Sequence, residues 1–217
     1  MDTLSLKHKL IKFQSIIALL AMCIALSILS DRFLSADNAW NVMRQISVNM
    51  IISVGMTLVI LTGGIDLSVG SVLALSGAIT AWLLKSGGEF VDLNLYIGFT
   101  LIGALVGGTL VGTFLGWFNG LTITRFKVPP FVSTLAMLTI ARGLTMLLTG
   151  GFPITGFSSN MAFIGTGWFL GIPMPVWISA VVVLTAVVMN KKTRLGRHIY
   201  AIGGNETAAE LSGKKKK

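Results

Sequence analysis

The chain has 217 residues, of which 53% are hydrophobic and only 12% are charged. Soluble domains carry about 25% charged residues, so this composition excludes an ordinary soluble protein and predicts an integral membrane protein. The formal net charge of +9 does not call for a nucleic-acid partner, because part of it is a terminal lysine run at 214–217. Most other positive residues flank apolar segments, where membrane lipid is the expected partner.

Six apolar runs predict an all-α fold, a polytopic transmembrane helical bundle of about six spans. The runs are 13–29, 46–62, 69–84, 93–124, 131–148 and 175–190. The shorter runs reach only about 25 Å as helices, whereas a hydrocarbon core is about 30 Å thick, so several must recruit flanking residues. The fourth run is too long for one upright span, and we expect it to tilt, bend or begin in the interface.

The positions of lysine and arginine predict that the N-terminus and the C-terminus are both cytoplasmic, because cytoplasmic loops retain positive residues. The inner segments then contain Lys7, Lys9, Lys12, Arg125, Lys127, Lys191, Lys192, Arg194, Arg197 and 214–217. The outer segments contain Arg32, Arg44 and Lys85. Between the first two runs, residues 31–45 combine mixed charge with Trp40, which predicts a short interfacial segment.

The segment GGIDLSVGS, 63–71, joins the second and third runs and contains Asp66, the one charged residue between Arg44 and Lys85. A carboxylate at membrane depth costs roughly 3 kcal/mol, so it is expected to face protein, a polar cavity or the interface. Glycine-interrupted apolar segments indicate transport sites, because irregular backbone is tolerated in a bilayer only where protein or water covers it. An ordinary turn between two spans is the alternative.

Small residues recur at helical spacing in two runs. In the third run, one helical face is almost bare, because it carries Gly70, Ala74, Gly77, Ala78 and Ala81. We expect another helix to approach this face closely. The fourth run has glycine at every fourth position, at Gly108, Gly112, Gly116 and Gly120. This small-xxx-small pattern is typical of tight helix packing in membranes, and we interpret the stripe as a helix-packing motif.

Two features follow in the next runs. Arg142 lies well inside the fifth run, where an arginine needs a partner, a cavity or access to the outer headgroups. A structural ion pair is the favoured alternative to a functional role.

The uncharged, glycine-rich stretch 149–174 predicts an outer loop on the membrane surface, which could receive an extracytoplasmic partner.

After the sixth run, residues 191–213 change from basic to mildly acidic. Asn205 is suited to cap a short helix, Glu206 to favour its N-terminal dipole, and Gly203 with Gly204 to form a flexible entry. This segment is a candidate for docking on the cytoplasmic side. A short exposed helix without a function is the alternative.

The sequence predicts no catalytic residue, no metal site and no cofactor. A G-x-x-x-x-G-K-[ST] phosphate loop is absent, so the chain is not expected to hydrolyse nucleotide itself. His8, His198 and Cys23 are its only histidines and cysteine, which argues against a metal site and against nucleophilic catalysis that depends on histidine.

Three blocks together resemble the sugar-importing permeases of ATP-binding-cassette (ABC) transporters. They are ILTGGIDLSVGSVLALSGA (60–78), FKVPPFVSTLAMLTIARGLTMLLTGG (126–151) and TRLGRHIYAIGGNETAAELSG (193–213). The resemblance implies a multi-pass inner-membrane subunit of an ATP-driven importer, which is not itself an enzyme. Ribose leads the implied substrates, with other pentoses, hexoses and branched-chain amino acids behind it. The implied partners are a cytoplasmic ATPase that uses ATP, a periplasmic sugar-binding protein and a second permease subunit.

The resemblance also implies roles for individual residues. It carries a membrane-embedded signature onto Gly64, Ile65, Asp66, Leu67, Ser68, Gly70 and Ser71. It assigns an ATPase-coupling segment to Gly203, Gly204, Asn205, Glu206, Ala208 and Ala209. Because a neutral sugar needs no counter-charge, we hypothesise that Asp66 fixes the helix break through hydrogen bonds rather than by gripping sugar.

The end of the chain departs from the family. Members continue past the coupling segment with further spans, whereas here Gly213 is followed by four lysines. The resemblance therefore implies a permease domain at 1–213 that is incomplete at its C-terminus, with a lysine tail at 214–217. Two other functions stay open: a secondary transporter with Asp66 and Arg142 as an ion or proton relay, and a non-transporting membrane scaffold or remnant.

Overall fold

The computed structural model describes residues 3–90 and 95–204. Its helices are α1 Thr3–Leu29, α2 Ala36–Leu61, α3 Val69–Lys85, α4 Leu101–Arg125, α5 Pro130–Thr149, α6 Ser159–Thr166, α7 Met174–Lys192 and α8 Arg194–Gly204. Its short strands form two antiparallel hairpins, β1 Gly88–Phe90 with β2 Leu95–Ile97, and β3 Trp168–Phe169 with β4 Ile172–Pro173. The predicted all-α class is confirmed.

Within the described residues, four helices are long and apolar enough to cross a membrane, namely α2, α4, α5 and α7. Helix α3 and the apolar part of α1, Phe13–Leu29, are shorter. With 17 residues, α3 is only about 25 Å long. The six predicted runs therefore correspond to four full-length candidate spans and two shorter apolar helices.

The structure corrects two predicted boundaries. Residues 36–45 of the predicted interfacial segment are helical, because α2 begins at Ala36 and continues without a break to Leu61; their interfacial position stays a prediction. The fourth apolar run is not one tilted or bent helix. Its residues Leu95–Ile97 form strand β2, and α4 begins at Leu101, where the Thr100 hydroxyl caps the helix by accepting the Gly103 N–H at 3.2 Å.

Two compact units divide the chain, Met1–Ile46 and Ser47–Lys217. In the first unit, the apolar side chains of α1 from Phe13 onward are mostly exposed, as suits a helix surrounded by lipid. In the second unit, α3 packs against both α4 and α5. Among the described residues, five buried apolar side chains lie on these three helices, namely Leu75, Ala81, Ala104, Met137 and Ala141, and Pro173 of β4 is buried elsewhere.

The contact between α3 and α4 depends on glycine along only half of the predicted stripe. A Cβ atom at Gly108 would lie 2.6 Å from the Ser76 carbonyl oxygen, and one at Gly112 would lie 2.8 Å from Ser76 Oγ. A side chain at position 108 would push the helices apart because it meets backbone, whereas one at position 112 would have to displace the Ser76 hydroxyl. At Gly116 and Gly120, no described atom lies within 4 Å of such a Cβ. The predicted packing role therefore fits the first two glycines, whereas the last two face open space.

Candidate functional site

The chain breaks its helical course between α2 and α3, at the segment that the sequence singled out. The amides of Gly63 and Gly64 donate to the carbonyls of Ile60 and Val59, at 2.9 and 3.1 Å, which closes the last turn of α2. Gly63 has a φ of 75°, a left-handed conformation that favours glycine. We call residues 62–68 the break loop.

Asp66 holds the end of the break loop against the start of α3. Its Oδ1 accepts two hydrogen bonds from Ser68, one from the backbone N–H at 2.8 Å and one from the hydroxyl at 2.6 Å. Such an aspartate turn satisfies an amide that the first turn of a helix leaves without a partner. Ser68 is 1% exposed, so the arrangement lies inside the protein. This geometry agrees with the hydrogen-bonding role hypothesised for Asp66.

The same serine hydroxyl connects the break loop to α4. Asn119 Nδ2 donates to Ser68 Oγ at 3.0 Å, and the Asn119 side chain is buried. The hydroxyls of Thr122 and Ser133 lie 2.5 Å apart, and Ser133 makes a long, weak bond of 3.5 Å to Asn119 Oδ1. Because unpaired polar groups are costly away from water, this continuous chain of bonds stabilises the junction. We call these five residues, from Asp66 to Ser133, the polar chain.

Helix α5 reaches the break loop through a second buried hydroxyl. Thr134 is 2% exposed, and its Oγ1 donates to the Pro130 carbonyl at 2.8 Å. The carbonyl of Ile65 lies 3.5 Å from the same oxygen, at the limit of a hydrogen bond. The first turn of α5 therefore contacts the break loop directly.

A cavity of about 260 Å³ opens beside these residues. The break loop from Thr62 to Asp66 forms one wall, and Gly116, Asn119, Gly120 and Thr134 contribute to the others. Small-molecule sites usually measure about 300–1,000 Å³ and combine apolar walls with a few polar groups, so this space suits a small ligand. We call it the break cavity.

A second open space runs between α3 and α5. Two adjoining cavities of about 390 and 460 Å³ are both lined by Ala74 and Thr145, and we call them together the α3–α5 groove. The nearly bare face predicted on α3 lies along this groove. No described atom lies within 4 Å of a Cβ placed on Gly70 or Gly77, so the predicted close approach of another helix is absent at those glycines.

Arg142 lines the α3–α5 groove together with Ser71 and Thr145. The favoured structural ion pair is not available to it on the neighbouring helices, because α3, α4 and α5 contain no aspartate or glutamate. Arg142 is exposed and borders this groove, which is one of the environments that the sequence allowed for it.

The predicted signature separates the two open spaces. Gly64, Ile65 and Asp66 line the break cavity, whereas Leu67, Gly70 and Ser71 line the α3–α5 groove. Ser68 is buried between the two sets. One short stretch of backbone therefore borders both spaces, although the signature was predicted as a single site.

The predicted coupling segment is described only in part. Gly203 and Gly204 end α8, so the expectation of a flexible entry at these glycines is wrong. The helix persists there because Gly203 packs against the backbone of Leu61, with the Leu61 carbonyl oxygen where a Cβ would stand. The other members, Asn205, Glu206, Ala208 and Ala209, lie outside the described residues, and the coupling role stays a prediction.

Sequence reasoning missed Asn119, Ser133 and Thr134. One signal pointed to Asn119, which is the only amide side chain of α4 and lies beside Gly120 of the glycine stripe. A buried amide in an apolar helix requires a hydrogen-bond partner, and Ser68 of the break loop is that partner. The two hydroxyls gave no such signal, because serine and threonine commonly bond to the carbonyls of their own helix.

Four membrane-length helices and a hydrogen-bonded helix break describe a polytopic membrane protein. Residues 38–217 match the family model described as branched-chain amino acid transport system / permease component. The chain belongs to this family, which confirms the resemblance to ABC permeases. Its place is therefore the inner membrane.

Ribose import permeases are among the similar proteins. The chain is 47% identical over 208 residues to the ribose import permease protein of Haemophilus influenzae, a match that covers 94% of this chain and 61% of the relative. It is 45% identical over 204 residues to that of Bacillus subtilis, covering 93% and 60%. It is 38% identical over 197 residues to the D-allose transport system permease protein of Escherichia coli, covering 90% and 57%.

The chain thus spans about 60% of the length of the curated ribose permeases that it matches. No solved structure matches it significantly.

Proposed function

We propose that the chain is the membrane-spanning permease subunit of an ABC importer that carries ribose or a related monosaccharide into the cytoplasm. Its similarity to ribose import permeases over more than 90% of its length supports this substrate class. The single observation that carries the proposal is structural. In a family of permeases, the break loop places a carboxylate whose Oδ1 accepts two hydrogen bonds at a small cavity whose other polar groups are neutral.

The chemistry of the break cavity suits a neutral polyhydroxyl ligand. Asn119 and Thr134 contribute an amide and a hydroxyl to its lining. Because Asn119 Nδ2 donates to Ser68 and Thr134 Oγ1 to Pro130, their oxygens serve as acceptors for sugar hydroxyls. Oδ1 of Asp66 is already engaged by Ser68, so the carboxylate mainly fixes the shape of the loop.

The importer also needs partners. We propose that a cytoplasmic ATPase hydrolyses ATP and acts on the segment from Gly203 to Ala209, and that a periplasmic sugar-binding protein delivers the substrate. A second permease subunit completes the membrane pore. Both termini lie in the cytoplasm in this arrangement, as the distribution of lysine and arginine predicts. The coupling is mechanical, and the chain itself catalyses no reaction.

Uptake by cells tests the proposal. The chain is expressed in a bacterium that lacks its own ribose permease but retains the ATPase and the ribose-binding protein, and uptake of radiolabelled ribose is measured. We expect uptake that requires both partners and that excess unlabelled ribose suppresses more strongly than leucine does. The empty vector and the strain without the ATPase are the controls.

The two alternatives give different results. A secondary transporter would take up ribose without the ATPase and would stop when an ionophore collapses the membrane potential. A scaffold would retain the ATPase during purification but give no uptake of any labelled sugar. Either result would overturn the importer proposal.

A further inference from the structure

Helix α8 has three sides of different character. One side packs against the chain, since Cβ atoms at Gly196 and Gly203 would collide with the backbones of Asn190 and Leu61. At about 100° per residue, an adjacent side carries apolar residues and a third side carries basic ones. The apolar residues are Leu195, Ile199 and Ile202, and the basic ones are Arg194, Arg197 and His198.

The apolar side of α8 is incompletely covered by the protein. Leu195 is 54% exposed, although it is the largest apolar residue at the start of the helix. Ile199 and Ile202, on the same side, are half-buried. Arg194 and Arg197 are exposed as well. An apolar side that adjoins a basic side is typical of a helix that lies in the plane of a membrane interface.

Positive charge accumulates where α7 meets α8. Lys191 and Lys192 form the last turn of α7, and Arg194 and Arg197 follow within the next five residues. The sequence contains no aspartate or glutamate between residues 95 and 204. The helices from α4 to α8 therefore provide no carboxylate for this cluster, and the next acidic residues along the sequence, Glu206 and Glu210, lie outside the described residues.

The position of the cluster selects the kind of anion. Helix α7 is a candidate membrane span that ends at Lys192, and α8 begins after the single residue Thr193. With 11 residues, α8 is too short to span a bilayer. It starts at the end of the span, where phospholipid headgroups lie, and lysine or arginine clusters beside a span attract anionic lipid.

We propose that α8 lies in the headgroup layer of the membrane and binds anionic phospholipids. Leu195, Ile199 and Ile202 enter the acyl boundary, and the four cations of the α7–α8 junction contact lipid phosphates. The apolar side favours a lipid surface over an acidic protein, because it adjoins the basic side at the depth of the headgroups. This inference depends on neither the substrate nor the ATPase.

Spin labelling of the full chain tests the depth of α8. Cys23 is the only cysteine, so Cys23→Ser provides a cysteine-free background. Leu195→Cys and, as the matched control on the basic side, His198→Cys are labelled in separate samples. Each is placed in nanodiscs of phosphatidylcholine with or without phosphatidylglycerol. Collision rates with oxygen, which concentrates in lipid, and with a water-soluble nickel chelate report the depth.

We expect the Leu195 label to collide mainly with oxygen and the His198 label mainly with nickel. Phosphatidylglycerol should raise the oxygen-to-nickel ratio at Leu195 at least twofold. Arg194→Gln with Arg197→Gln should abolish this increase, whereas Arg142→Gln, a charge loss outside α8, should leave it unchanged. Equal nickel access at both labels in both lipids would overturn the proposal and leave a protein partner as the cover of α8.

A second measurement does not depend on these variants folding. The unmodified chain is purified in detergent from mixed lipid, and native mass spectrometry counts the phospholipids that it retains. We expect retained phosphatidylglycerol to exceed phosphatidylcholine at least twofold. Equal retention of the two lipids would contradict selective binding of anionic headgroups.

Discussion

Gly108 and Gly112 on α4 contact α3, whereas Gly116 and Gly120, which continue the same stripe, face the break cavity. The difference arises from what lies opposite α4. The first two glycines meet α3 around Ser76, where that helix is continuous. Because α3 begins only at Val69, the last two glycines lie across the break cavity from the break loop instead. The same spacing therefore permits close packing in one half and leaves room in the other.

The two halves also differ in what holds them together. Around Gly108, the helices are joined by close contact with the carbonyl of Ser76 and the side chain of Thr80. Around Gly120, the junction depends on the polar chain, in which Ser68 bonds to both Asp66 and Asn119. We call these regions the packed half and the open half of the α3–α4 contact. Four substitutions test whether they respond differently.

The largest effect is expected from Gly108→Val in the packed half. The new side chain would force α3 and α4 apart, and overpacking of this kind costs about 1–3 kcal/mol. We expect a clear fall in the thermal unfolding temperature of the purified protein in detergent. Gly116→Val adds the same side chain in the open half and serves as the matched control. An equal fall in both variants would show that the two halves are not different.

Asp66→Ala should have the next largest effect, because it leaves the Ser68 amide without its acceptor in a buried place. An unsatisfied buried donor costs about 1–3 kcal/mol. Asp66→Asn keeps a side-chain oxygen and should lose less, since bonds to a neutral acceptor are about half as strong. Thermal unfolding measures both. Sugar uptake by Asp66→Asn separates the roles, because normal uptake would contradict an ionic function of Asp66.

Asn119→Ala should cost about 1 kcal/mol, the typical contribution of one hydrogen bond. The effect is smaller than that of Asp66→Ala because the Ser68 hydroxyl still donates to Asp66. Thr124→Ala is the control, since the Thr124 hydroxyl bonds only to the carbonyl of Gly120 at an exposed position. Thermal unfolding compares the two, and a larger loss for Thr124→Ala would contradict the assigned importance of the polar chain.

The smallest effect, and one of opposite sign, is expected from Gly120→Ala. Alanine favours a helix over glycine by about 0.5–1 kcal/mol, and no described atom opposes the added methyl group. The unfolding temperature should therefore rise slightly. In the packed half, Gly112→Ala gains the same helical preference, but its methyl group meets Ser76 Oγ. The unfolding temperature of this variant should therefore not rise. A gain in both variants would remove the distinction between the halves.

The sequence predicted those features that depend only on residues close together in the chain. The break loop was predicted because glycines and a lone carboxylate interrupt two apolar runs, and the bonds from Asp66 to Ser68 are equally local. Helix class and most span positions followed from apolar length. Strand β2 was missed because Leu95–Ile97 is as apolar as the helix that follows it, and the capping role of Thr100 was not considered.

Features that depend on distant partners could not be predicted in the same way. Asn119 bonds to Ser68, 51 positions earlier in the sequence, and the spacing of residues within α4 does not indicate which distant residue Asn119 will bond to. The glycine stripe gave no sign of where α3 would cease to lie opposite it. Arg142 was left with several environments, and only the placement of α3 and α5 showed that it borders a groove.

The contact between Gly203 and Leu61 has a mechanical consequence. Most helices meet through side chains, which change rotamer and absorb small displacements. At position 203, α8 meets α2 backbone to backbone, and the space there admits only a hydrogen atom. Leu61 is the last residue of α2, and the break loop starts at the next position. Any side chain at position 203 would therefore displace the end of α8 from the residue at which the break loop begins.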